Sequence, residues 1–203
     1  MQLQLRERSP QTPDALWQVE HPPVFTLGRN ARPAHLRRPG AIPVIQVDRG
    51  GQVTFHGPGQ IVLYTLLDLH RYRLGVRGLV ELLQQGVIDT LAEFAIRASA
   101  RSDAPGVYVD GAKIAALGLR VRNGLSMHGL ALNVCPRLAE FERMDPCGYP
   151  GLVSTSMRRL GVRADPEGVA ARLEARLAEL LGCPTEAEHV LPEPLVRVLA
   201  RRG

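Results

Sequence analysis

Alternating polar and apolar positions dominate the first third of the chain and predict short β-strands. Strands are predicted over residues 16–20, 24–27, 42–47, 52–55 and 61–69. The first two are separated by His21-Pro22-Pro23, since proline cannot donate to a sheet. The last of the five is a long apolar run, which is typical of a buried central strand.

Two longer segments are predicted to be helices, and the first of them places apolar residues three and four positions apart, as an amphipathic helix requires. These helices are predicted over 76–98 and 166–181, and shorter ones over 137–143 and 152–160. Pro166 suits a first helical position and Gly182 suits a helix end.

The middle of the chain contains two strong hairpin-turn pairs, Asp110-Gly111 and Asn123-Gly124. They predict an antiparallel meander of strands over 107–109, 113–121 and 125–134. Because strands and helices do not alternate regularly, we expect an α+β fold, with a mixed or antiparallel sheet flanked by helices. A length of 203 residues fits one domain spanning residues 1–203.

The composition narrows the class of protein. The chain is 45% hydrophobic and 22% charged, as in ordinary globular proteins. No apolar run is long enough for a membrane span, and residues 1–8 lack a signal-peptide core, so we expect a cytoplasmic location. The net charge of +5 would suit an acidic partner. Nucleic acid is not expected, because the basic residues are scattered and only 4% of residues are aromatic.

The three cysteines are Cys135, Cys147 and Cys183. Their odd number argues against a disulfide framework, and no two have the spacing of a zinc site, so no metal is expected. Cys147 lies in Pro146-Cys147-Gly148, just before the helix predicted over 152–160. A helix N-terminus or a nearby ammonium group lowers the pKa of a thiol. A small apolar loop residue is the other interpretation, and we expect the remaining two cysteines to be inert.

Lys113 is the single lysine among 25 basic residues. A coding bias toward arginine would explain why lysine is so rare. The other explanation is that position 113 needs an amine that can lose its proton, which arginine cannot supply. The strand that follows is apolar, and Gly118 and Gly129 leave room for a narrow cleft that would suit a linear chain. An exposed lysine at the start of a strand is the alternative.

A glycine-rich segment runs from Arg49 to Gln60. Glycines there allow a ligand to approach the backbone, while Arg49 could bind an anion or hold a carbonyl group. A tight hairpin is the other interpretation, and the spacing does not match a nucleotide-binding P-loop. His128 and Asn133 could orient other groups in an active site. Together with a cysteine they could also form a catalytic triad like that of a cysteine protease, so this interpretation stays open.

Four stretches together resemble the lipoyl(octanoyl) transferase family. They are Arg-Gly-Gly-x-x-Thr-aromatic-His-Gly-Pro-Gly-Gln at 49–60, Lys-Ile-Ala-Ala-Leu-Gly at 113–118, His-Gly-Leu-Ala-Leu-Asn-Val at 128–134 and Pro-Cys-Gly at 146–148. The resemblance covers the chain from about Glu20 to Thr155.

The resemblance implies a fold like the catalytic domains of biotin and lipoate protein ligases. It implies transfer of an octanoyl group from octanoyl-acyl carrier protein, through a thioester on Cys147 assisted by Lys113, to a lysine of a lipoyl domain. Substrate-binding positions carry over to Arg49, Gly50, Gly51, Gln52, Val53, Thr54, Phe55, His56, Ala116, Leu117, Gly118, Gly129, Leu130 and Ala131.

The resemblance also implies a monomer that needs no cofactor. The acceptors it implies are lipoyl domains of 2-oxoacid dehydrogenase complexes and the glycine cleavage H protein. Three alternatives stay open: an ATP-dependent lipoate- or biotin-type ligase on the same fold, a cysteine amidase, and a lipoyl-domain binder without catalytic activity.

Overall fold

A computed structural model describes residues 12–145 and 151–183. Its strands form a six-stranded sheet in the order β1-β5-β9-β8-β7-β6 and a three-stranded sheet in the order β3-β2-β4. The strands are β1 (Ala15–Val19), β2 (Val24–Leu27), β3 (Val44–Gln46), β4 (Val53–His56), β5 (Gln60–Leu66), β6 (Ser99–Ala100), β7 (Gly106–Val109), β8 (Ala112–Arg122) and β9 (Leu125–Asn133).

The large sheet is antiparallel and has two different faces. Side chains alternate across a strand, so Ile61 and Leu63 of β5 point into the main core, while Val62 and Tyr64 line a cavity on the opposite face. The small sheet lies over that second face, and its β2–β3 pair is parallel. The α+β fold is therefore confirmed, with a mixed arrangement of strands.

Two α-helices contribute to the core on the first face of the large sheet, α1 (Val76–Ala92) and α2 (Pro166–Leu181). The second helix begins and ends as predicted. The Asp165 side chain accepts a hydrogen bond of 2.9 Å from the Gly168 amide, and Gly182 adopts φ +69° at the other end. Two 3-10 helices, Pro33–His35 and Leu138–Arg143, are the other helical elements in the part of the chain that the structure describes.

Both hairpin turns are confirmed. Asp110 and Gly111 have φ values of 48° and 80°, and Asn123 and Gly124 have values of 51° and 76°. Two consecutive residues with positive φ are the requirement of a type I′ turn. The turns place β7, β8 and β9 side by side, which brings the start of β8 to the edge of the cavity.

The helix predicted over 152–160 is wrong. Main-chain groups of this segment bind the sheet instead: Val153 O accepts from Lys113 N at 2.8 Å, and Thr155 N donates to Lys113 O at 2.9 Å. A short turn over 157–161 follows and ends at Gly161. An N-terminal helix dipole close to Cys147 therefore has no basis in the described residues.

Three predicted elements are longer than the observed ones, and the first is the strand predicted over 61–69, which ends at Leu66. The first long helix ends at Ala92 rather than residue 98, because Ala95 takes up a left-handed conformation with φ +57° and Ile96 N bonds back to Leu91 O. The strand predicted over 42–47 is limited to Val44–Gln46. Within residues 12–145 and 151–183, no helix has the length and apolar character needed to cross a membrane.

Candidate active site

A cavity of about 260 Å³ lies between the two sheets. Most of its lining surface is apolar and comes from facing strands, with Val24 and Val53 on the small sheet and Val62 and Ala131 on the large one. A slot with aliphatic walls and a few polar groups suits an alkyl chain with a polar end.

Lys113 lines the cavity at the start of β8 and is only 4% exposed. Its Nζ donates a hydrogen bond of 3.3 Å to Pro105 O and lies 5.2 Å from the centre of the Tyr108 ring. Gly106 packs against the side chain, since a Cβ built there would lie 3.0 Å from Lys113 Cε. The lysine is therefore a buried, held amine rather than an exposed residue at a strand end.

Cys147 lies outside the described residues, as do its neighbours 146 and 148–150. The described chain on each side reaches the cavity: Met144 lines it before the gap and Ser154 after it. Met144 pairs with Leu36 in a β-bridge, and Ser154 pairs with Lys113.

The Arg49 guanidinium donates hydrogen bonds to three main-chain carbonyl groups. Its Nη2 donates to Thr26 O at 2.8 Å and to Gln52 O at 2.7 Å, and its Nη1 donates to Gly50 O at 2.9 Å. The side chain is 8% exposed. Arg49 thus ties β2 to the glycine-rich segment and fixes one wall of the cavity.

Most of the predicted substrate-binding residues come together at this cavity. Those that line it are Arg49, Gly51, Gln52, Val53, Thr54, His56, Ala116, Leu117, Gly118, Gly129, Leu130 and Ala131. Gly50 does not line it, and its amide bonds to Leu119 O at 2.8 Å. Phe55 points away into a second apolar cluster, where its ring lies 5.4 Å from those of Phe25 and Phe141.

The two glycines expected to widen the cleft also accommodate protein atoms. Gly118 and Gly129 face each other across β8 and β9. A Cβ at Gly118 would lie 2.9 Å from Arg49 Cδ, and a Cβ at Gly129 would collide with Leu63 O. Because these two glycines have no side chain, Arg49 can pack against Gly118 and strand β5 can pack against Gly129. Both glycines also form part of the cavity wall.

A chain of hydrogen-bonded polar side chains joins the glycine-rich segment to Thr155, whose amide bonds to the main chain of Lys113. His56 Nδ1 lies 2.7 Å from Gln60 Oε1, and Gln60 Nε2 donates to Asn133 Oδ1 at 2.8 Å. Asn133 Nδ2 donates to Thr155 O at 3.0 Å. Burial lowers the pKa of His56 to about 4, so its imidazole is neutral near pH 7.

A second polar group surrounds His128. Its Nε2 lies 2.6 Å from Asp48 Oδ1, and Arg120 pairs with the other carboxylate oxygen. Burial lowers the pKa of His128, although the Asp48 carboxylate opposes this. His128 also has φ +61° within β9, a conformation that costs a residue other than glycine roughly 1–3 kcal/mol.

His21 and Tyr64 line the cavity, although the sequence interpretation assigned them no role. The Tyr64 hydroxyl lies 2.8 Å from His21 Nε2. The role of Tyr64 could have been predicted from the alternation of side chains along β5, which places Gln60, Val62 and Tyr64 on the face that lines the cavity. No local pattern indicated His21, whose position depends on the pairing of β1 with β5.

The described residues contain no cluster of three or more histidine, cysteine or carboxylate side chains that could hold a metal ion. The polar side chains that line the cavity are an amine, an arginine, three imidazoles, three amides and four hydroxyls, which are suited to hydrogen bonding and proton transfer.

A family model described as "Lipoyl protein ligase A/B catalytic domain" matches residues 1–178. An octanoyltransferase of Methylococcus capsulatus is 57% identical over 176 residues, which cover 87% of this chain and 85% of the relative. The chain belongs to the lipoyl protein ligase A/B family, and within it to the octanoyltransferases. It is therefore an acyltransferase enzyme.

Solved structures confirm the fold expected for this octanoyltransferase family. The bipartite lipoate protein ligase of Thermoplasma acidophilum aligns with a TM-score of 0.77 at 14% identity, covering 97% of this chain and 83% of that one. Biotin protein ligase of Aquifex aeolicus aligns with a TM-score of 0.51 at 19% identity, covering 63% and 52%. At these identities the likeness concerns the fold alone.

Proposed function

We propose that this octanoyltransferase moves an octanoyl group from octanoyl-acyl carrier protein to a lysine of a lipoyl domain, as the first step of protein lipoylation. Cys147 carries the octanoyl group as a thioester between the two transfers, and Lys113 is its catalytic partner. The observation that carries the proposal is the buried amine of Lys113 at an apolar cavity, in a chain 57% identical to an octanoyltransferase.

The cavity supports an alkyl substrate. Burial contributes about 0.8 kcal/mol per methylene, so seven carbons beyond the carbonyl would contribute roughly 6 kcal/mol to binding. The walls offer aliphatic side chains from both sheets, and Lys113 lies among the polar groups that could meet the carbonyl end. The substrate-binding residues predicted from the sequence keep this role in the proposal.

The path of the chain supports a meeting of Cys147 with Lys113. The segment that contains Cys147 joins Met144 to Ser154, both of which line the cavity, and Ser154 is bridged to Lys113. An ammonium group close to a thiol stabilises the thiolate. In the first transfer the thiolate attacks the donor thioester, and the carrier thiolate leaves with the electron pair and takes a proton from Lys113.

Surface charge supports acidic protein partners. Arg158 and Arg163 are exposed and line a surface pocket beside Cys135. Exposed positive charges attract acidic partners, so we expect the carrier protein to dock on these arginines. The bipartite ligase of Thermoplasma acidophilum belongs to an archaeal lipoylation system together with its E2 lipoyl domain, which favours lipoyl domains as acceptors here.

Further details of the proposal are a single catalytic domain over 1–203, a monomer, a cytoplasmic location and a reaction without a cofactor. The acceptors are lipoyl domains of 2-oxoacid dehydrogenase complexes and the glycine cleavage H protein.

The test is a transfer assay with purified octanoyl-acyl carrier protein and a lipoyl domain, without ATP. The expected result is octanoylated lipoyl domain with the wild type and with the control Cys135→Ser, and none with Cys147→Ser. Transfer that requires ATP and survives Cys147→Ser would instead show a ligase. Full activity of Lys113→Arg would refute proton exchange at Lys113.

A further inference from the structure

The short strand β3 exposes all three of its residues. It lies at the end of the small sheet, with β2 as its neighbour in the part of the chain that the structure describes. Val44 is 42% exposed and Ile45 is 51% exposed. Ile45 also lines the cavity, so this strand forms part of the cavity's mouth. An exposed apolar strand at the edge of a sheet can pair with a strand of another chain.

Alternate main-chain groups of β3 face away from its neighbour β2. The two strands are parallel, and Pro43 O and Val47 N each bond to β2 at 2.9 Å. In a parallel pair the residues that bond to the neighbouring strand alternate along the chain, so Ile45 is the residue between these two that bonds to β2. The N–H and C=O groups of Val44 and Gln46 therefore point toward the open edge.

The positive charge of the chain is concentrated around this strand. Residues 28–47 contain four arginines and no aspartate or glutamate, so they carry +4 of the net charge of +5. Arg37 pairs with Asp145 at 3.4 Å. Arg29 lies just beyond the end of β2, Arg38 lies on the segment that leads into β3, and both are exposed. Positive charge around a docking edge selects an acidic partner and speeds its association.

The acceptor of the proposed function has to place a lysine side chain in the cavity. The stem of a lysine is short, so the main chain of the acceptor must lie close to the mouth, where β3 is. When an extended segment joins the edge of a sheet, main-chain hydrogen bonds supply affinity and alternate side chains face the binding protein. This mode would hold the acceptor's main chain at the mouth and turn its lysine toward the cavity.

We propose that the acceptor lipoyl domain docks by adding an extended segment to the open edge of β3, with acidic side chains facing Arg29 and Arg38. The proposal rests on the function given above, in which a lipoyl domain is the acceptor. Main-chain hydrogen bonds to Val44 and Gln46 align the segment, and its lysine enters the cavity beside Ile45. The contact concerns the acceptor alone, so its loss changes the KM for the lipoyl domain and not the KM for the donor.

A pair of variants separates the main chain of Val44 from its side chain. Val44→Pro removes the N–H group at the open edge without removing a bond to β2, and proline is tolerated on edge strands in this orientation. Val44→Ala keeps the N–H group and shortens the side chain. We expect Val44→Pro to raise the KM for the lipoyl domain about tenfold, the effect of one lost hydrogen bond, and Val44→Ala to change it far less. Thermal melting checks that both variants fold.

Charge reversal tests the arginines independently of the strand. Arg29→Glu with Arg38→Glu should raise the KM for the lipoyl domain about tenfold at low salt and flatten its dependence on salt. Arg77→Glu with Arg97→Glu is the matched control, because it changes the net charge equally. Both control arginines are exposed, one in α1 and one just after it, on the other face of the large sheet. The control should keep the KM of the wild type.

An unchanged KM for the lipoyl domain in folded Val44→Pro, or an equal rise in Val44→Ala, would overturn the proposal. If Val44→Pro does not fold, the charge reversal decides, and a KM equal to that of its control contradicts the proposal. A rise in the KM for octanoyl-acyl carrier protein instead would show that the donor docks here. A changed sedimentation coefficient without a change in KM would show that β3 pairs with a second copy of the chain. Either result contradicts the proposal.

Direct binding separates this proposal from the proposed function. Calorimetry with the unmodified lipoyl domain measures docking without catalysis, and binding should weaken in Val44→Pro as the KM rises. A wild type that binds the lipoyl domain in this way but transfers no octanoyl group refutes the proposed function and not the docking surface. A wild type that transfers the group, with equal binding by Val44→Pro, refutes the docking surface alone.

Discussion

The main-chain carbonyl of Lys113 accepts a 2.9 Å hydrogen bond from the amide of Thr155. Together with the bond from Lys113 N to Val153 O, it joins residues 153–155 to the start of β8 through one parallel β-bridge between Lys113 and Ser154. Lys113 therefore has its main chain held by the segment that follows the cysteine, while its side chain is held by the β7 region.

Gly106→Ala should displace the Lys113 side chain and impair catalysis. The new Cβ would lie 3.0 Å from Lys113 Cε and 3.3 Å from Nζ, at a residue with φ +151°. A displacement of about 1 Å in a catalytic group can cost roughly 100-fold in rate. The rate of octanoyl-enzyme formation from a small octanoyl thioester measures the effect.

Gly111→Ala is the matched control for that substitution. Gly111 also has positive φ, at +80°, but a Cβ there would contact nothing within 4 Å. Both variants should lose roughly 1–3 kcal/mol of stability from backbone strain, yet only Gly106→Ala should lose acylation rate beyond that. Equal rates in the two folded variants would show that contact with Lys113 is unimportant.

The stability of the protein should fall as the pH is lowered from about 6.5 to 4. His56 has a folded-state pKa of about 4, below its ordinary value of 6.5, so the unfolded chain binds more protons in this interval. The contribution is complete above pH 6.5 and is lost toward pH 4, on the order of 2–3 kcal/mol. Burial lowers the pKa values of His21 and His128 in the same direction.

Urea unfolding at a series of pH values measures this dependence. His56→Gln removes the largest titrating contribution, so its free energy of unfolding should change less between pH 6.5 and 4 than that of wild type. A steeper dependence in the variant would mean that His56 is protonated in the folded protein.

Charge reversal at the basic pocket should weaken use of the carrier-bound donor. We expect Arg158→Glu with Arg163→Glu to raise KM for octanoyl-acyl carrier protein about tenfold and to flatten its dependence on salt, since exposed charges steer acidic partners. Activity with a small octanoyl thioester should be retained. Arg122→Glu is the control, because Arg122 is exposed at the other end of β8 from Lys113. Equal effects on both donors would indicate a structural cause.

Elements with local causes could be predicted from the sequence. The turns at Asp110-Gly111 and Asn123-Gly124 need two residues with positive φ, and their residue types favour that conformation wherever they stand. Pro166 and Gly182 fix the ends of α2 in the same way. These signals were sufficient for the meander and for the position of Lys113 at the start of β8.

Features that depend on distant partners were missed. Residues 152–160 were predicted to form a helix. Instead, the main-chain groups of Val153 and Thr155 form hydrogen bonds with Lys113. His21 meets Tyr64 only because β1 pairs with β5. Phe55 does not line the cavity because its ring packs between those of Phe25 and Phe141, although its sequence neighbours Thr54 and His56 line the cavity.

The account depends most on a covalent octanoyl group at Cys147, and intact mass spectrometry tests it directly. Wild-type enzyme is mixed with octanoyl-acyl carrier protein, and a lipoyl domain is then added. The account predicts an octanoyl adduct on the enzyme, mapped to Cys147 and absent in Cys147→Ser, that disappears as the lipoyl domain gains the same mass. Octanoylated lipoyl domain formed at full rate by an enzyme that never carries the adduct would contradict it.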